Sequence, residues 1–128
     1  MILLLDTSTP ECRLTFVDGE SRSHDNWQAD RMLAKGLLSH LDGLLREHNK
    51  TWSDITAIGV YEGPGSFTGI RIGLTVMNTI ADSQKIPIVG ARGEDWQTDA
   101  ISKLNAGNDE KIALPFYGSE ANISTPRK

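Results

Sequence analysis

Two short segments carry residue types that could hold a phosphate or a metal-bound water. The first is Asp6-Thr7-Ser8-Thr9, an acidic residue and three hydroxyls at the end of an apolar run. A carboxylate there can order a metal-bound water, and hydroxyls can donate to phosphate oxygens. The same residues also make ordinary turns, because their side chains bond nearby backbone. The second segment is Gly63-Pro64-Gly65-Ser66-Phe67-Thr68-Gly69. Its glycines permit positive φ and close backbone approach, and the helix expected to follow presents N–H groups suited to an anion. The spacing is not G-x-G-x-x-G, and no G-x-x-x-x-G-K-[ST] lysine is present. Ser66 or Thr68 serves equally as a helix cap. Local sequence leaves anion cradle and structural turn open.

Other reactive side chains do not assemble into a pattern. His24, His40 and His48 lack metal-ligand spacing, and His40 and His48 are expected on a solvated helix face. No G-x-S-x-G occurs, and no Ser-His-Asp or Cys-His arrangement is suggested. Trp27, Trp52 and Trp96 are too scattered for a base-stacking platform. Cys12, the single cysteine, sits in a strand-like stretch and reads as core filler rather than nucleophile. These residues do not suggest a complete enzyme.

The elements that position the two segments follow from periodicity. Ile2 to Leu5 is a continuous apolar run suited to a strand buried on both faces. Cys12, Leu14 and Phe16 alternate with Arg13 and Thr15 as in a half-buried strand. Asp18-Gly19 turns the chain into a polar edge strand over Glu20 to Trp27. Asp30 to His48 is a helix with Leu33, Ala34, Leu37, Leu38, Leu41, Leu44 and Leu45 in an arc of roughly 140°. A second strip on it holds Ala29, Met32, Gly36, Ser39 and Gly43, which reads as close approach of another backbone or as neutral surface.

Ile55 to Tyr61 is the next strand, and Gly69 to Ser83 the next helix. That helix has apolar residues around roughly 200°, about twice what covering one sheet face needs. Ile70, Ile72, Gly73, Leu74, Val76, Met77 and Ile80 lie on that arc, and the surplus is expected at an interface. A short strand at Ile86 to Val89, a helix over Glu94 to Leu104 and a last apolar stretch at Ile112 to Tyr117 complete the chain. The order β-β-β-α-β-α-β-α predicts an α/β domain on a mixed sheet.

With 128 residues, 14.0 kDa and a net charge of −4, the chain is sized for one domain with one core. Its acidity argues against a stand-alone nucleic-acid binder. One cysteine, no apolar run long enough to span a bilayer and no basic leader point to the cytoplasm.

Gly63-Pro-Gly-Ser-Phe-Thr-Gly-Ile-Arg-Ile-Gly-Leu74 resembles the signature of the TsaB (YeaZ) family, relatives of the M22 glycoprotease-like proteins. Leu4-Leu-Asp-Thr-Ser-Thr9 is similar to that family's first strand and phosphate-loop motif. Trp52-Ser-Asp-Ile55, Ile58-Gly-Val60 and Ile86-Pro-Ile-Val-Gly90 match its flanking segments, so the likeness runs from residue 1 to about 104. The resemblance implies a single RNase H-like lobe of the actin/Hsp70/sugar-kinase (ASKHA) superfold. It further implies a non-catalytic scaffold for making N6-threonylcarbamoyladenosine (t6A) at adenosine 37 of tRNA. TsaD would be the catalytic partner, TsaE would join the complex, and tRNA would be contacted only indirectly. Signature and possible phosphate-contact residues are then Asp6, Thr7, Ser8, Thr9 and Gly63 through Gly69. Partner-facing residues are Ala29, Met32, Gly36, Ser39, Gly43, Ile70, Arg71, Gly73, Leu74, Met77 and Ile80 on the two first-lobe helices.

Family members usually have a second lobe of about a hundred residues. Here residues 1–110 are expected to form the lobe and 111–128 a Pro-x-Tyr tail at Leu114-Pro-Phe-Tyr117, ending at Arg127-Lys128, with the second lobe absent. The family's His-Ser near the first helix stands as Leu33-Ala34, and its Lys-Gly in the signature helix as Asn78-Thr79. Nucleotide lies between two lobes in this superfold, so no cofactor is expected on the isolated chain; ATP would bind weakly or at a complex interface. Competing readings are a stand-alone homodimer using the same helices and, on the old glycoprotease label alone, a hydrolase.

Overall fold

The computed structural model describes residues 1–116. Along the chain run β1 (Ile2–Asp6), β2 (Glu11–Asp18), β3 (Ser21–Gln28), α1 (Leu33–Glu47), β4 (Ala57–Tyr61), α2 (Phe67–Gln84), β5 (Ile88–Ala91) and α3 (Trp96–Asn105). This is the expected element order. The sheet order is β3-β2-β1-β4-β5, with β1 antiparallel to β2 and parallel to β4, and β4 parallel to β5. A three-strand meander feeding parallel strands through helices is the α/β arrangement of a single RNase H-like lobe. Among the described residues, no helix is long and apolar enough to cross a membrane.

The apolar run in β1 is divided between two layers. Leu3 and Leu5 join the core beneath α1 and α2, whereas Leu4 turns to the opposite face with Val89, Trp96 and Ala100. All three leucines are at most 1% exposed, as a central strand between helical layers requires. The hairpin forms at Asp18-Gly19, with Gly19 at φ +63° and β3 at the sheet edge.

Several expectations change once neighbours are known. Asp30–Met32 is a separate 3-10 turn with Asp30 at φ +48°, so the first α-helix starts at Leu33 rather than Asp30. Thr15 is buried rather than solvated, because α3 covers that face; its hydroxyl accepts from Gln97 and lies 2.9 Å from His24 Nδ1. Gly36 approaches a side chain, not a backbone: a Cβ there would lie 2.8 Å from the Trp27 indole, while nothing is near Gly43. His40 is not simply solvated. It stacks on Trp27 at 4.5 Å and its Nε2 lies 2.7 Å from Asp25, tying α1 to the edge strand.

The largest change concerns α2. Ile70, Gly73, Leu74, Met77 and Ile80 are buried within this chain, because α2 packs on the sheet and beside α1. They are core residues, not surface contacts. Conversely, Ala34 and Leu38, expected in the core-facing arc of α1, are exposed, Leu38 at 52%.

Past α3, residues 109–116 run back along β5 and α2. Ala113 is buried there, while Ile112 and Leu114 face outward. Tyr117, Arg127 and Lys128 of the expected tail lie outside the described residues.

Candidate functional site: a packed signature loop beside an apolar trough

The two phosphate-loop candidates meet where β1 and β4 end, and they fasten to one another. Asp6 accepts the Ser8 N–H at 2.8 Å, forming a turn at the strand end. Ser66 N–H donates to the Ser8 carbonyl at 2.8 Å. The Thr7 hydroxyl, 2% exposed, donates to the Gly69 carbonyl at 2.7 Å. The glycines permit this contact. A Cβ at Gly65 would strike Ser8, and one at Gly69 or Gly73 would strike Thr7. Gly63 and Gly65 also lie at φ +133° and +154°, where side chains are strained. The Gly63–Pro64 peptide is cis.

Ser66 caps α2 by accepting the Gly69 N–H at 3.3 Å. Tyr61, at the end of β4, donates its hydroxyl to the Pro64 carbonyl at 2.6 Å. Burial, with a smaller contribution from the Asp6 charge, raises the Tyr61 phenol. Thr7 and Ser66 thus bond across the two loops, while Asp6 holds the turn of its own. Thr9 and Thr68 lie to one side, lining a hollow of about 890 Å³ with Pro10, Met32 and Ser66.

That hollow continues along the helices. It shares Ala34 and Ile72 with a middle depression, which shares Thr75 and Val76 with a cleft of about 400 Å³ beside Leu38 and Trp52. The result is a trough between α1 and α2, running from Thr68 to Gln84. Met32 at its mouth is 55% exposed and Phe67 is 43% exposed. Arg71 flanks it with its guanidinium 5.2 Å from the Phe67 ring. Of the expected partner-facing residues, Met32, Ser39 and Arg71 are exposed, Gly36 and Gly43 are half-buried, and Ala29 is buried. The surface residues that sequence reasoning did not expect there are Ala34, Leu38 and Thr75; Ile72 and Val76 lay on the α2 arc whose surplus was expected at an interface, but were not singled out as partner-facing.

Chemically reactive groups are otherwise in structural use. His24 faces Thr15, His40 faces Asp25, and His48 packs edge-on to Phe16. Cys12 is 1% exposed and its thiol is pushed up to about 12, chiefly by burial and further by Asp25 and Asp6. Among the described residues, no cluster of three His, Cys, Asp or Glu could hold a metal.

Glu62, which sequence reasoning passed over, packs against Gly90 so closely that a Cβ there would overlap its carboxylate. Burial and then the neighbouring Glu110 charge raise its carboxyl above the ordinary range, opposed by Lys103 and Arg92. Its sequence signal was a lone acid opening a glycine loop.

Comparison with known proteins matches this architecture. The family model for TsaD, tRNA N6-adenosine threonylcarbamoyltransferase, matches residues 27–93, just over half of the chain. The tRNA threonylcarbamoyladenosine biosynthesis protein TsaB of Haemophilus influenzae is 31% identical over 123 residues, covering 96% of this chain and 52% of that protein. TsaB of Escherichia coli is 28% identical over 124 residues, covering 91% and 53%. YeaZ from Pseudomonas aeruginosa, a solved structure, superimposes with a TM-score of 0.66 and 31% identity over 71% of this chain and 43% of that one. This chain spans about half the length of the curated relatives it matches. The matched model, the TsaB relatives and the shared fold together place it: the chain belongs to the TsaD family, among its TsaB (YeaZ) members.

Proposed function

We propose that the chain is a non-catalytic subunit in tRNA t6A synthesis, pairing with a TsaD protein through the trough between α1 and α2. The observation that carries this is the continuous apolar surface holding Met32, Leu38, Ile72 and Val76 on helices otherwise committed to the core. A monomer rarely leaves a groove of this kind uncovered, and a helical partner fits it. The TsaB names of the curated relatives support the pathway. A net charge of −4 suits a subunit whose partner holds the tRNA. Residues 1–110 act as the lobe and 111–128 as its tail; TsaE joins through the complex, in the cytoplasm.

Trough variants test the pairing. Leu38→Asp combined with Val76→Asp should abolish co-purification with the cognate TsaD while the protein stays folded, which circular dichroism checks, since Leu38 is exposed and Val76 only half-buried. Undiminished co-purification would contradict the assignment. A second reading follows from the same exposed trough: without TsaD, two copies bury it against each other as a homodimer. Light scattering with and without TsaD separates the two states.

A further inference from the structure

β5 is an edge strand, and such strands expose backbone groups that invite pairing with another chain. Here the outward groups of Ile88 and Gly90 are all occupied. Ile88 N–H donates to the Asp109 carboxylate at 3.2 Å, and its carbonyl accepts Glu110 N–H at 2.9 Å. Gly90 N–H donates to the Glu110 carboxylate at 2.9 Å, and its carbonyl accepts the Lys103 ammonium at 2.6 Å. The segment then crosses α2, where the Asn78 amide both accepts Ala113 N–H at 2.8 Å and donates to its carbonyl at 3.0 Å. It ends with Phe116 N–H donating to the Glu62 carbonyl at 2.9 Å, beneath the Arg92 guanidinium 3.9 Å from the ring. Glu62 opens the signature loop.

We propose that residues 109–116 form a latch that seals the β5 edge and braces the start of the signature loop, with Asn78 as its keeper. Apart from the single buried side chain of Ala113, each fastening is a point contact between residues distant in sequence rather than a strand ladder. The latch can therefore release without dismantling the sheet or α1. Because its two ends touch the β5 edge and Glu62, release at Asn78 loosens both. Ile112 and Leu114, 61% and 66% exposed, face away from the fastenings and take no part.

Amide hydrogen exchange on the full chain tests this. In Asn78→Ala, exchange at Ala113, Phe116, Gly90 and Ser66 should rise by about tenfold or more, while Leu37, Leu41 and Leu45 of α1 keep their protection. Glu110→Gln, which weakens the edge seal only, should accelerate Gly90 and Ile88 in the same way. Ile112→Ser with Leu114→Ser should leave all of these amides unchanged. Wild-type exchange at Phe116 and Gly90 in Asn78→Ala would overturn the latch. So would equal acceleration of the α1 amides, which would make the segment an integral part of the core. If Asn78→Ala does not fold, Glu110→Gln is read at Gly90 and Ile88: acceleration there with α1 protection kept supports the edge seal, and unchanged exchange there overturns the latch.

Discussion

Thr7 shows how a residue type suited to chemistry can be used for packing. Its hydroxyl could donate to a phosphate, yet it bonds the Gly69 carbonyl and fills the space left by Gly69 and Gly73. The spacing of glycines in the signature was legible, but not that a threonine sixty residues earlier would occupy it. Cys12 was legible, because an alternating strand residue is ordinarily core. With its thiol at about 12, it should resist iodoacetamide in the native protein near pH 8 and react fully in denaturant; rapid native labelling would refute its burial. Glu62 was not legible, since its shift arises from burial against Gly90 and from Glu110. A carboxyl raised in the folded state contributes stability while protonated, and that contribution is lost as pH rises through its folded value. Thermal melts between about pH 4 and 7 should therefore show a fall in stability attributable to Glu62 that Glu62→Gln flattens. Identical pH profiles for the two proteins would contradict this.

Elements were more readable than their faces. The β1 run, the hairpin at Asp18-Gly19 and the order of helices and strands all follow local patterns and are present. For α2, periodicity showed an apolar arc of roughly 200° but could not assign it. The sheet and α1 take Ile70, Leu74, Met77 and Ile80, leaving Ile72 and Val76 for the trough. Leu38 was misassigned for the complementary reason: it stands at the edge of the α1 stripe, where a small rotation decides between core and solvent. A contrast of variants tests the division. Leu74→Asp places a charge at a site 3% exposed and should cost about 3 kcal/mol or more, whereas Leu38→Asp should change stability by about 0.5 kcal/mol or less. Chemical denaturation measures both, and comparable losses would show that the two faces are not distinct. Asn78 and Ala113, 35 residues apart, lie beyond any local pattern.

For the whole molecule, the packed loops and the exposed trough point the same way. Thr7 and Ser66 use hydrogen bonds to join the two loops, Asp6 holds the turn of its own, and among the described residues an apolar trough stays open, as the proposed pairing requires. Calorimetry on the chain alone should accordingly show no tight ATP binding, and a low-micromolar affinity would contradict the closed-loop reading. Acidity and the apolar trough both fit a subunit that acts through a partner. The most direct measurement is t6A in tRNA, quantified by mass spectrometry after reconstitution with the cognate TsaD and the remaining components. The account predicts that t6A forms only when this chain is present and is lost with Leu38→Asp and Val76→Asp. Equal t6A with the chain left out would contradict it.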